Sequence, residues 1–419
     1  MNIVGLSSTT NPYVQARWSG FTIQNPDYTV SLIEFGRVSK VYAWTPIDAA
    51  VPYERMVLSD GASQYESVGQ LLALTRRLFG ALAKACPDVL VLNGYQQPLA
   101  LAALGWSRLR GIPVVLLSES KEDDAPRRWL TEGLKRFLVG GYSAALVGGQ
   151  KHKDYLVRLG MGPDSIFLGH NVIGNGAYAP ERIRELARPQ QTEKPYFLAI
   201  NRFIAKKNIP TILLAYADYR RRCSAETVWD LVLCGDGEMR SQIEAQITQL
   251  GLSNWVHLTG FLQPPELLPY FAHASCFVHA STQEQWGLVV NEAMAAGLPV
   301  LVSRCCGCFD ELVVEPVNGF GFDANDPHEL AALMTNMSRR TIDLPAMSQA
   351  ALRHIHQFGP SFFAEGLRHA IEYSTKHTQK GSLPRPISAR KQRNQQQPKT
   401  SFQTIPASVV TLEGQESIL

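Results

Sequence analysis

Ala280 to Val300 reads A-S-T-Q-E-Q-W-G-L-V-V-N-E-A-M-A-A-G-L-P-V. The apolar run Cys276–His279 before it predicts a strand, Leu288–Ala296 predicts a helix, and Val300–Ser303 predicts the next strand. Strand, loop, helix and strand in this order form one turn of a doubly wound α/β sheet. The loop holds Glu284, and Gly287 marks the turn into the helix. The first helical amides, near Leu288 and Val289, have no intrahelical acceptor and favour an anion. Glu292 stands one turn beyond Leu288 on the same face. A carboxylate there repels a phosphate, but it can accept hydrogen bonds from hydroxyls such as a ribose diol. Glu284, in the loop before the helix, reaches further along the same ligand.

The same rhythm extends in both directions. Towards the N-terminus of this half stand strand Tyr196–Ile200, helix Ile209–Arg222, strand Leu231–Cys234, helix Glu238–Leu250, strand Val256–Thr259 and helix Pro265–Ala272. In the first half the strand candidates are Ile3–Leu6, Val30–Phe35, Val41–Trp44, Val89–Asn93, Val114–Ser118, Ala144–Gly148 and Ile166–Leu168. Helical patterns fall at Ser67–Ala85, Leu99–Leu109, Arg127–Val139 and Lys151–Leu159. Ala179–Pro195, polar and proline-bearing, interrupts the rhythm and reads as a linker. The expected organisation is a first domain over 1–180, a linker over 181–195 and a second domain over 196–360. A helix at Ser361–Tyr373 follows. The segment 376–419 reads as a disordered basic tail, because Lys376–Lys399 carries seven Lys or Arg and no acid. Two doubly wound domains leave a cleft between them, and such sheets bind ligands outside the carboxyl ends of their strands.

Three further pieces sit at such strand ends. N-R-F-I-A-K-K-N, Asn201–Asn208, offers Arg202 with Lys207 or Lys206, cations suited to a pyrophosphate. C-G-D-G-E, Cys234–Glu238, offers Gly235, Asp236 and Gly237, where glycine permits close backbone approach. T-G-F, Thr259–Phe261, offers the Phe261 ring to a base. Taken singly, Arg202 and Lys207 read equally well as a solvated loop, while a plain turn and a core ring are the preferred readings of the other two. What unites them is their shared sheet edge.

Composition sets the frame. The chain has 419 residues, 45% hydrophobic and 18% charged, with a formal net charge of +3. That suits two globular domains and gives no argument for a nucleic-acid partner. Seven cysteines without framework spacing suggest reduced thiols. Cys305 and Cys308 form a C-x-x-C with no second pair of ligands nearby, so no metal site is expected. Met1–Gly20 has no signal-peptide pattern, and no apolar run approaches a membrane span. The expected location is therefore cytoplasmic, with contact at the inner membrane face as a separate reading. That reading comes from Arg127–Leu138, a basic helix with Trp129, Leu130, Leu134, Phe137 and Leu138 on a common side. The pattern suits an interfacial helix and also a helix packed on its own sheet, which is the preferred expectation.

Together these residues resemble glycosyltransferase family 4, a retaining group within the glycosyl transferases group 1. The resemblance covers roughly Tyr196–Leu333. E-Q-W-G-L-V-V-N-E resembles the family's E-x7-E segment, R-F-I-A-K-K-N its Arg/Lys pair, and L-V-L-C-G-D-G and L-T-G-F follow in the expected order. V-S-R-C-C-G-C-F-D-E-L-V and N-G-F-G-F are similar to its closing segment. More loosely, G-G-Q-K-H-K-D-Y-L-V-R-L-G and H-N-V-I-G-N-G-A-Y look like the end of its first domain.

The resemblance implies the GT-B fold, two Rossmann-like domains with an interdomain cleft. It implies a UDP- or GDP-linked nucleotide-sugar as co-substrate and no other cofactor. The acceptor would be a saccharide or a lipid-linked acceptor, in cell-surface polysaccharide synthesis. Arg202 and Lys207 would hold the pyrophosphate, Glu292 the ribose, and Leu288 and Val289 amides a phosphate, while Glu284 would face the transferred sugar. The last helix would cross back to the first domain. Two features depart from the family. The loop after the first strand, G-L-S-S-T-T-N-P, has a single glycine, and S-E-S-K-E-D-D stands after Val114–Ser118 where many members place a histidine. Glu119, Asp123 or Asp124 is the candidate there. Two rival readings are a sugar-nucleotide-binding protein without transfer and a nucleotide-sugar epimerase on the same fold.

Overall fold

The computed structural model describes residues 1–38, 50–61, 63, 67–124, 127–190, 193–224, 227–339 and 341–378. The strand expected at Val41–Trp44 and the tail beyond residue 378 lie outside these residues. The first sheet contains β1 (Asn2–Ser7), β2 (Thr29–Glu34), β3 (Glu54–Val57), β4 (Val89–Asn93), β5 (Val114–Ser118), β6 (Ala144–Val147) and β7 (Ile166–Leu168). Its order is β3-β2-β1-β4-β5-β6-β7, and the pairings are parallel. The connecting helices are α1 (Pro12–Gln24), α2 (Val68–Ala85), α3 (Pro98–Arg108), α4 (Trp129–Val139) and α5 (Gln150–Arg158).

After a single turn, α6 (Pro180–Ile183), the second sheet runs through β8 (Tyr196–Ile200), β9 (Asp230–Cys234), β10 (Val256–Gly260), β11 (Cys276–His279), β12 (Val300–Ser303) and β13 (Gly319–Phe322). Its order is β10-β9-β8-β11-β12-β13. Its helices are α7 (Ile209–Arg222), α8 (Arg240–Gln249), α9 (Pro264–His273), α10 (Leu288–Ala295), α11 (Phe309–Leu312), α12 (Pro327–Ser338) and α13 (Leu344–Ile355), followed by α14 (Pro360–Thr378). The molecule thus has the GT-B architecture of two parallel-sheet Rossmann-like α/β domains. Each sheet is apolar on both faces, as its continuous β-branched and leucine runs require.

Several elements differ from the sequence reading. Asn11 accepts hydrogen bonds from the Tyr13 and Val14 amides at 3.0 and 2.9 Å, and Pro12 opens α1. That is an N-cap signal the apolar pattern hides. Ile183, inside the stretch read as a linker, is buried in the second core, so that core begins before β8. The C-terminal helix runs to Thr378, beyond Tyr373, and packs on α1 and along β5, β6 and β7. The preferred expectation for α4 is overturned. Trp129, Leu130, Leu134 and Phe137 face outward, and only Val139 of this helix is buried.

Candidate active site between the two sheets

The carboxyl ends of β8, β9 and β11 and the start of α10 converge on one cavity of about 360 Å³, a size suited to a small-molecule ligand. Of the residues singled out from sequence, Arg202, Lys207, Gly235, Asp236, Phe261, Glu284, Leu288, Val289 and Glu292 line it, and Glu119 joins them from the first sheet. Lys206 lines it as well. Gly237 does not; its φ of +156° lets the β9–α8 turn close against the Phe203 backbone. Neither Asp123 nor Asp124 lines it. Both instead pair with Lys121, which is buried.

Lys207 and Glu284 form an ion pair, with little of either side chain exposed. Ser281 donates to the same carboxylate oxygen at 3.2 Å, and His279 Nε2 lies 3.4 Å from it. Burial pushes the Glu284 carboxyl up, but hydrogen bonding by His279 and the Lys207 charge outweigh it, so the group is held well below its ordinary value. The sequence reading gave Lys207 and Glu284 separate duties; the fold couples them.

Glu292 is only 4% exposed. The Tyr13 and Tyr178 hydroxyls both donate to its Oε1, at 2.7 and 2.6 Å. Burial raises its carboxyl, and the two hydroxyls partly offset this by favouring the ionised form. Neither tyrosine was visible as a site residue, because Tyr13 stands 279 positions away in sequence. Tyr178→Phe is expected to cost about 1.5–3 kcal/mol near neutral pH, the value of a bond to a charged group. Ionising Glu292 costs stability as pH rises through its raised folded value. The penalty of the variant should therefore shrink on acidification towards about pH 4. Denaturant unfolding of both proteins across pH measures it, and a pH-independent difference would count against this bond.

From the first domain Tyr13, Glu119 and Asn171 line the cavity, while His170 and Arg17 are buried and do not line it. Among the described residues His170 has no hydrogen-bond partner on either ring nitrogen, Asn171 none on its side-chain amide, and Arg17 none on Nη2. His170 Nε2 lies 3.5 Å from Glu119 Oε1. Burial, then the Arg17 charge, hold His170 well below its ordinary value. Glu119, 37% exposed at the cleft, is pushed up by loss of solvation; Arg17 opposes this, while Glu284 and Asp124 add to it. Across the cavity Asn201 is also buried, with neither side-chain atom partnered among the described residues. Buried polar atoms without partners are rare, and Asn171 and Asn201 bring theirs to the cavity. Asn171 and Asn201 fall inside quoted segments, so asparagine beside a strand end was the available signal.

Trp286, between the two acids, joins the halves. Its indole donates to Asn291 Oδ1 at 2.9 Å, and its ring packs near Gly148 and His152. His152 Nε2 also bonds the Gln285 carbonyl at 2.9 Å. The loop bearing Glu284 is therefore fixed from both domains.

Residues 183–353 match the glycosyl transferases group 1 family. The second domain is a glycosyl transferases group 1 domain. This domain carries the Lys207–Glu284 pair and Glu292. The chain is 34% identical over 124 residues to alpha-monoglucosyldiacylglycerol synthase of Streptococcus pneumoniae, covering 29% of this chain and 27% of that protein. It is 25% identical over 276 residues to sulfoquinovosyl transferase SQD2 of Arabidopsis thaliana, covering 62% and 52%. Among the first curated relatives the chain spans between 27% and 37% of their length. The whole fold is similar to Anabaena HepE in complex with UDP-glucose, with a TM-score of 0.66 at 20% identity, over 89% of this chain and 99% of that one. It is also similar to sucrose-phosphate synthase of Thermosynechococcus elongatus, with a TM-score of 0.69 at 18% identity, over 90% and 98%.

Proposed function

We propose that the chain is a retaining glycosyltransferase of family 4. It would move a hexose from a UDP- or GDP-linked donor to a saccharide or lipid-linked acceptor in cell-surface polysaccharide synthesis. The observation that carries this reading is the gathering of Lys207, Glu284 and Glu292 on one cavity at the carboxyl edge of the group 1 domain. The names of the relatives, which concern sugar transfer, and the UDP-glucose bound by HepE support it.

In this reading Arg202, Lys207 and the first amides of α10 surround the donor diphosphate, and Glu292 accepts from the ribose hydroxyls. The bond from the anomeric carbon to the phosphate oxygen breaks, and its electron pair leaves with the diphosphate. The cations stabilise that charge where it develops, so we assign the reaction no metal. The acceptor oxygen bonds the anomeric carbon on the same face, and its proton passes to the departing phosphate oxygen. Glu119, beside His170 and Arg17, lies on the acceptor side. Asp236, Gly235 and Phe261 border the base.

Glu292→Gln is expected to raise KM for the donor about 10–100-fold, the loss of a charged hydrogen bond. Arg202→Ala is expected to lower turnover. Assay of both variants over a panel of UDP-, GDP- and ADP-sugars tests the reading, and normal turnover in both sinks it. Nucleotide release from the unaltered protein without any acceptor product would return the choice to an epimerase.

A further inference from the structure

The face of α4 is inverted relative to a helix that packs on its own sheet. Trp129 is 82% and Phe137 80% exposed, and Leu130 and Leu134 are exposed with them. At about 100° per residue, Trp129, Gly133, Phe137, Leu130 and Leu134 sweep a continuous outward arc of about 140°. The charged side turns inward. Glu132 and Lys135 pair with one another and both meet the Tyr155 hydroxyl, while Arg127 stacks on the Tyr155 ring. Single exposed leucines are ordinary, but four large apolar side chains on one helical arc are not.

Charge indicates what covers this arc. Arg136 borders it, Arg128 precedes the helix as its N-cap residue, and both are exposed. The one acid of the helix, Glu132, is turned away and neutralised by Lys135. At the far end of the helix Arg108 bonds the Gly140 carbonyl, and the exposed Leu109 follows it. An apolar arc with tryptophan and phenylalanine, rimmed by arginines without exposed acids of its own, matches the boundary between acyl chains and anionic headgroups. Among the described residues no helix is long and apolar enough to cross a membrane.

We infer that α4 is a membrane-docking face that inserts Trp129, Leu130, Leu134 and Phe137 into the interface of an anionic lipid surface. The helix begins ten residues after Glu119, which lines the cavity. Docking through it brings the acceptor side of the cavity to the lipid. The surface stands on its own observations and does not depend on the transfer reading.

The test is flotation of the full chain with vesicles of phosphatidylcholine alone or mixed with phosphatidylglycerol. The unaltered protein is expected to float with the anionic vesicles and far less with the neutral ones. The double variant Trp129→Ser/Phe137→Ser is expected to lose at least tenfold in apparent affinity while keeping its thermal midpoint. Arg128→Glu/Arg136→Glu is expected to lose the preference for anionic lipid. Three results overturn the inference: an unaltered protein that stays unbound, a double variant that binds equally well through another segment such as the basic 376–399 stretch, or lipid-independent self-association abolished by the same substitutions. Turnover with a soluble acceptor is expected to be unchanged in both variants, which separates failure here from failure of the proposed activity.

Discussion

Lys207→Ala is expected to lower kcat for sugar transfer by about 10²–10³, the loss typical of removing one preorganised group from a site of developing charge. Two effects combine. The ammonium lines the cavity where the departing diphosphate gains charge. It also neutralises Glu284, whose largely buried carboxylate would otherwise keep His279 and Ser281 as its partners among the described residues. Removing one member of a buried pair leaves the other uncompensated. The two substitutions Lys207→Ala and Glu284→Gln should therefore be non-additive, with the double variant losing far less than the product of the single losses. If Lys207 acts on the phosphate alone, the losses multiply. Steady-state kinetics of the four proteins decide between these outcomes. Lys206→Ala, which alters a cavity-lining cation without a carboxylate partner among the described residues, is expected to lose less.

The pattern of the chain made the second domain legible because its elements obey local rules. Tyr196–Ile200, Cys276–His279 and Ile209–Arg222 fall where the apolar runs end in turn residues. The cavity-lining acids were legible for a related reason. A strand end, a glycine turn and a helix start lie within a dozen residues of one another, so Glu284, Leu288 and Glu292 share an edge by chain geometry alone. The partners of those acids were not legible. Tyr13 reaches Glu292 from α1, and the cap that starts α1 is polar and leaves no apolar period to find. His279 reads as the last residue of a buried strand, and only the fold turns its ring towards Glu284.

Helix α4 marks the limit from the other side. Its periodicity is genuine, but periodicity reports that one face is apolar and not what covers it. The inward side of α4 is held by Lys135 and Glu132 on Tyr155, three polar residues that a burial rule would place outside. The two acids of E-x7-E follow the opposite course. Charged residues on a helix and in a loop are ordinarily solvated, yet Glu292 is buried and Glu284 nearly so. Burying a carboxylate is costly unless it is paired or hydrogen-bonded. Here Lys207 and two tyrosines meet that requirement, which makes the site rigid before any ligand arrives.

Gly235→Ala tests how strictly that rigidity depends on the backbone. Gly235 has φ +136°, a region that side chains rarely adopt, and a Cβ there would stand 1.8 Å from the Asn201 carbonyl oxygen. That carbonyl cannot withdraw cheaply. The Asn201 amide bonds the Cys234 carbonyl at 3.0 Å, Phe203 bonds Asp236 at 2.8 Å, and Gly235 itself bonds Gly260 at 2.8 Å, so the ends of β8, β9 and β10 are tied together. Backbone strain of this kind costs about 1–3 kcal/mol, and the overlap adds to it. A loss of about 3–4 kcal/mol is expected, or about 6–15 °C in thermal midpoint for a domain of this size. Relief by displacing Asn201 would carry Arg202 with it, so the variant should also lose most of the thermal shift that UDP or GDP gives the unaltered protein. Asp236→Ala is the control. Its carboxylate pairs with Arg240 at the exposed rim and should cost less than about 0.5 kcal/mol. A Gly235→Ala protein with an unchanged midpoint and an unchanged nucleotide response would mean that the three strand ends can part without disturbing the donor site.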